Sequence, residues 1–189
     1  PGNSDKILLI LAFSGGGTRA AALSYGVLEE LRDREVIIQG KKRRVLEEVD
    51  VISAVSGGSF TAAYFGLFGD RIFEDFEERF LKKDIQGALT SRVLFNPINW
   101  VRLASPLFDR SDLAAEYYDK NIFDGKTFGD MFSGKGPAIY INATDMTSGA
   151  RVTFLPRSFN LICSDLGKIP VARACAASSA VPGVLTPIT

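Results

Sequence analysis

Ile7-Leu8-Leu9-Ile10-Leu11-Ala12-Phe13-Ser14-Gly15-Gly16-Gly17-Thr18-Arg19-Ala20 decides how the rest of the chain is read. Ile7–Phe13 is a continuous apolar run, not an alternating one. It reads as a buried strand, as in the centre of a parallel sheet. Ser14–Thr18 is a glycine turn. Arg19–Asp33 then reads as a helix with Ala20, Leu23, Val27 and Leu31 on one face. Beyond a basic, solvated loop at Gly40–Arg44 the pattern recurs: a strand at Val49–Val55, a turn at Ser56, and an almost wholly apolar helix over Gly57–Phe68. Strand, turn and helix twice over predict a parallel sheet with helices on both faces, hence an α/β fold.

Further along, Ile72 to about Lys83 reads as an amphipathic helix with Ile72, Phe73, Phe76 and Phe80 in one stripe. Gln86–Arg110 has no clear periodicity and contains Pro97 and Pro106. Ser111–Lys120 reads as a short helix capped by Ser111. Strands are expected at Pro137–Ala143 and Arg151–Leu155, and a helix over Pro170–Ala180, with Pro182 just past its end. The ending Val184–Thr189 carries no tail composition, charge run or cap, and Pro1 is no starter Met. Residues 1–189 are therefore expected to form the N-terminal part of one domain, cut inside it at the C-terminal end.

Composition narrows the chemistry. The 189 residues allow one sizeable core. Lys+Arg and Asp+Glu both number 22, so no electrostatic footprint for nucleic acid exists. The longest strictly apolar run, Ile7–Phe13, is too short to span a bilayer, and no basic region precedes it as in a signal peptide. The absence of histidine removes a Ser-His-Asp triad, a Cys-His dyad and His-ligated metal sites. Cys163 and Cys175 read as two buried thiols or one bridge, and cannot build a zinc site. No metal or organic cofactor is expected. The compartment stays open: cytoplasmic, or exported or membrane-associated where a leader has been removed.

Two elements carry chemistry. Ser53-Ala54-Val55-Ser56-Gly57-Gly58-Ser59 lies where a strand gives way to a helix. A serine nucleophile on such an elbow takes a strained backbone angle and needs small neighbours two residues away, here Ala54 and Gly58. The helix start at Gly57 aims N–H groups and a partial positive charge at the serine oxygen. Taken alone, the motif reads equally as nucleophile or as a Ser N-cap with glycines for tight packing. Ser59 is the competing nucleophile, placed inside the first helical turn. The second element is the Gly15–Gly17 turn, whose bare N–H groups a ligand oxygen can approach. Gly15, Gly17 and Ala20 fit a dinucleotide pattern, yet Glu35 and Asp50 are badly placed for the acidic residue that pattern needs. The other functional reading is an oxyanion hole. Parallel neighbouring strands would bring both turns to one carboxyl edge, and the combination favours acyl transfer or ester hydrolysis.

Here the sequence resembles the patatin-like phospholipases, serine lipid acyl hydrolases. The resemblance lies in Phe13–Ala21, Ala54–Ser59, Asn142–Asp145 and Ala174–Pro182, in family order across nearly the whole chain. It implies a three-layer α/β/α sandwich with a mainly parallel central sheet, and a Ser-Asp dyad without histidine. By the same resemblance Ser56 is the nucleophile, the N–H groups of Gly15, Gly16 and Gly17 form the oxyanion hole, and Arg19 is the basic residue following it. The dyad aspartate is implied in an Asp-Gly-Gly/Ala motif downstream of Ala174–Pro182, beyond Thr189. The only Asp-Gly here, Asp124-Gly125, precedes Asn142–Asp145 and reads as a loop turn.

The implied substrate is a lipid ester or phospholipid. Residues 1–189 by themselves are expected to show at most trace esterase activity. The rivals are a non-catalytic module of the same fold that binds lipid or an acyl chain, and a dinucleotide-binding protein. Leu94–Val101 and Pro106–Phe108 read either as an apolar lid or peripheral membrane contact, or as packing inside a helical subregion. Asn142–Asp145 reads either as a contact to the site or as a hydrogen-bonded strand terminus.

Overall fold

The computed structural model describes residues 3–4, 6–95, 97–103, 105, 108–181, 186 and 188; for residues 86 and 92–95 it describes the backbone alone. Pro182, the ending 184–189 apart from residues 186 and 188, and Asn96, Pro106 and Leu107 of the expected lid lie outside these. The fold is mixed α/β with a mostly parallel central sheet, consistent with the α/β/α arrangement expected.

The central sheet holds β1 (Leu9–Phe13), β4 (Val49–Val55), β5 (Ala138–Thr144) and β6 (Arg151–Thr153), in that order. The pairs β1/β4 and β4/β5 are parallel, and β5/β6 is antiparallel. The first crossover is α1 (Gly17–Asp33) and the second contains α2 (Gly57–Phe68). Both step across the sheet in one direction, so right-handed connections put α1 and α2 on the same face. That face carries Phe13, Ile52, Ala54, Ile139 and Ile141, all buried. The expectation of helices on both faces is thus not met by these two crossovers.

β1 lies at the sheet edge, not in its centre, and Ile10 is 56% exposed on the open face. The apolar run had signalled burial on two sides, whereas among the described residues only one is covered. On α1 the buried residues are Ala20, Ala21, Ser24, Tyr25 and Leu28, while Leu23 is 69% exposed. The buried stripe runs through small residues because α1 approaches α2 closely; the Thr61 hydroxyl donates to the Ala21 carbonyl at 2.9 Å.

The expected loop at 40–44 is instead β3 (Lys41–Arg44), paired antiparallel with β2 (Glu35–Ile38) in a separate hairpin. Gln39 and Gly40, both at positive φ, form its turn, as tight hairpins require.

α2 is the hub of the core. Ten of its residues are buried, and Phe60 stacks on Phe80 with ring centres 4.6 Å apart and meets the Tyr118 edge at 4.8 Å. Phe80 lies in the stripe expected from Ile72, which forms α3 (Ile72–Phe76) and one π turn, Glu77–Leu81. The stretch without periodicity folds as α4 (Ile85–Phe95) and α5 (Pro97–Leu103). Next comes α6 (Arg110–Asn121), capped by Asp109 and not by Ser111. Asp109 and Asp112 form a reciprocal capping box, and Ser111, one residue inside, donates its hydroxyl to the Thr186 carbonyl. The remaining helices are α7 (Phe128–Ser133), α8 (Pro156–Asn160) and α9 (Val171–Ser179), the last with Pro170 as its N-cap. Both cysteines are free: Cys163 is exposed and Cys175 buried, so neither alternative read from the sequence holds. Among the described residues no helix is long and apolar enough to cross a membrane.

Below the sheet, Glu48 is buried and straps the N-terminal segment. It accepts from the Ser4 hydroxyl and from the Ser4 backbone N–H at 3.0 Å, and faces Arg43 at 3.4 Å. The Ser4 hydroxyl holds this carboxyl below the usual 4.5, against the opposing effect of burial. A depressed folded pKa contributes stability that is complete above pH 4.5 and fades as pH falls through the folded value. In urea titrations Glu48→Gln should therefore be less stable than the parent at neutral pH, with the gap closing in acid below pH 4.5. A gap that does not change with pH would show that Glu48 acts by packing alone.

Candidate active site

β1 and β4 end side by side, with Phe13 opposite Ala54, so the glycine turn after β1 and the serine after β4 emerge at the same carboxyl edge. Ser56 occupies the N-cap position of α2 with φ 52° and ψ −123°. This is sparsely populated backbone for a residue with a Cβ. Ser56 is half-buried, and among the described residues its hydroxyl makes no hydrogen bond.

The two turns touch through bare backbone. A methyl group at Gly57 would stand 2.0 Å from the Gly17 carbonyl oxygen, and one at Gly58 would stand 2.7 Å from that of Ser14. Any side chain at either position would drive α2 off the glycine turn. A methyl at Gly15 would lie 3.2 Å from Ser56 Cβ, which puts the turn directly beside the serine. Gly16 (φ 140°) is the N-cap of α1 and Gly17 (φ 64°) its first residue, two positions earlier than expected. The unpaired first-turn amides of α1 therefore belong to Gly17, Thr18 and Arg19. Arg19 is exposed on that turn and has no ion-pair partner among the described residues.

Two residues hold this corner from behind. The Ser56 backbone N–H donates to Ser178 Oγ at 2.7 Å, and Ser178 in turn donates to the Asn142 carbonyl at 2.6 Å. The Asn142 side-chain amide donates to Ser53 Oγ and the Ala54 carbonyl, both at 3.1 Å, and its oxygen accepts from Thr153 at 2.8 Å. Asn142, two residues before the end of β5, thus ties the residues just ahead of Ser56 to Thr153 of β6 and to Ser178. Ser178 was not singled out in the sequence; its only signal was membership of the Ala174–Pro182 block.

The remaining acidic and nucleophilic candidates lie elsewhere. Ser59 is fully buried and donates to the Ser56 carbonyl. Asp145 accepts from the Thr147 N–H at 3.0 Å and from Ser148, folding its own turn; the Ser148 hydroxyl is the main cause holding its carboxyl below the ordinary range. Asp124 sits in a left-handed turn and pairs with Arg79 at 2.9 Å and Arg71 at 3.2 Å. Burial pushes its pKa up, but the two arginines outweigh that and hold it down. Arg71 follows the C-terminal end of α2, and a helix of 12 residues is about 18 Å long, so Asp124 lies far from Ser56. Glu35 belongs to the β2–β3 hairpin and Asp50 accepts from Asn3 and the Leu9 N–H. Neither ends the strand beside β1, where a dinucleotide ribose would need a carboxylate. Among the described residues, no group of three or more His, Cys, Asp or Glu stands together to hold a metal.

A search of curated proteins finds no match. The family model described as patatin-like phospholipase matches residues 11–189, from within β1 through both turns, Asn142 and α9. Such membership implies hydrolase activity on lipid substrates. The chain belongs to the patatin-like phospholipase family, a family of lipid acyl hydrolases.

Proposed function

We propose that the protein hydrolyses lipid esters, of phospholipase A or esterase type, through Ser56. The observation that carries this reading is the strained Ser56 backbone at the mouth of α2, pressed against Gly15. Strain of this kind costs about 1–3 kcal/mol and persists where the surroundings over-determine it, as at functional sites. Ser56 Oγ attacks the ester carbonyl. The amides of Gly15–Gly17 donate to the oxyanion of the tetrahedral intermediate, supported by the positive end of α1. The Gly57 amide at the start of α2 adds a dipole of the same sign. The intermediate collapses and expels the alcohol, which takes the proton removed from Ser56; water then hydrolyses the acyl-enzyme, releasing the acid and restoring the Ser56 hydroxyl. Arg19 puts a cation at a helix N-terminus, where it opposes the dipole, so helix stability does not explain it. Contact with an anionic lipid phosphate does.

A serine hydroxyl needs a base, and with no histidine the family resemblance supplies an aspartate of an Asp-Gly motif outside residues 1–189. In a protein carrying that motif, Ser56→Ala should cut hydrolysis of a short-chain ester by about 10³-fold or more, and a fluorophosphonate should label Ser56. Undiminished turnover, or label on Ser59, would refute the assignment.

Ser178→Ala strips the Ser56 N–H of its acceptor. This should lower urea stability by about 1–3 kcal/mol and slow fluorophosphonate labelling of Ser56. Lost stability with an unchanged labelling rate would mean the bond serves folding alone.

A further inference from the structure

From Ile85 to Phe108 the chain contains no Asp or Glu, although these residues number 22 in the 189. Asp84 and Asp109 bound the stretch, and its only charges are Arg92 and Arg102. Within it α5 turns apolar side chains to solvent: Val101 is 77% exposed, Ile98 70% and Trp100 56%. The helix is held in that attitude from beneath. Asn99 is buried, and Arg102 pairs with Glu116 of α6 at 3.0 Å while its guanidinium lies 3.8 Å over the Phe108 ring.

We propose that this face of α5 docks onto the surface of a phospholipid bilayer, an inference that rests on the lipid-hydrolase reading above. Three features select lipid as the occupant. An indole ring, apolar with one polar edge, suits the boundary between acyl chains and headgroups. The segment brings no carboxylate of its own against lipid phosphates. The apolar side chains fill the outer side of a helix whose polar residues, Asn99 and Arg102, are engaged on the protein side, as in helices that lie in the interface plane. The chain's net charge is zero, so docking draws on apolar burial and not on long-range attraction.

Trp100 is the only tryptophan, so its emission reads the contact directly. The protein is titrated with vesicles of ether-linked phosphatidylcholine, which an ester hydrolase cannot consume. A blue shift that saturates with lipid and survives 0.5 M salt is expected. Val101→Asp, an exposed substitution checked by circular dichroism, should weaken the apparent affinity about ten-fold or more. Four outcomes overturn the proposal: no shift, a shift abolished by salt, the same affinity in Val101→Asp, or a shift without vesicles that follows dimerisation and marks a second copy as the occupant. Turnover of a water-soluble ester is measured alongside, in a protein that also carries the Asp-Gly motif. Vesicle docking without ester hydrolysis retires the catalytic reading and leaves the docking surface standing, while hydrolysis without docking does the reverse.

Discussion

The contact between Gly57 and the Gly17 carbonyl is the constraint on which the rest depends. It is a contact of backbone with backbone, so no rotamer change can relieve it. It fixes the distance between the turn after β1 and the start of α2. Parallel pairing of β1 with β4 fixes their level along the sheet. With both set, α2 has one path across the sheet, and Phe60, Tyr64 and Phe65 fall into the core that α3 and α6 close. The same contact keeps side chains out of the corner where the two turns meet.

Hydrogen bonds from distant parts of the chain complete this corner. Asn142 on β5 grips the end of β4, and Ser178 on α9 grips the Ser56 amide. Three segments separated by some 90 and 120 positions thus converge on two consecutive peptide groups. A strained residue is kept strained only by such redundancy, because a single support would let the backbone relax. At the far end of α2, Tyr64, Arg71 and Arg79 meet Asp75, and the two arginines also meet Asp124, so the helix is tied at both termini.

How far the sequence foretold this follows from the range of each interaction. β4 and α2 were legible to the residue, since an apolar run bounded by Ser56 and glycine leaves one break point. The co-location of both turns was also legible, because parallel pairing follows from the repeated strand-turn-helix order. The buried face of α1 was misread: Leu23 and Val27 are more hydrophobic than Ala21 and Ser24, but close helix approach selects small residues. β3 was hidden by Lys41-Lys42-Arg43-Arg44, whose pairing with β2 is set by turn geometry and not by hydrophobicity. The edge position of β1 depends on which strands lie beside it, which its own residues do not encode. Ser178 and Asn142 act across distances that no local pattern spans.

The conformation of Ser56 has a consequence for how such a chain changes over generations. Glycine adopts φ 52°, ψ −123° without a Cβ penalty, so a single substitution at this position would relieve the strain and firm up the fold. Selection for robustness alone would drift toward glycine there, and each such step would delete the hydroxyl. Serine is the costlier residue at this position, and the cost is local to a single peptide unit. On the role proposed for Ser56, durability and reactivity are opposed at this site, and drift toward a sturdier, inert descendant needs only one replacement.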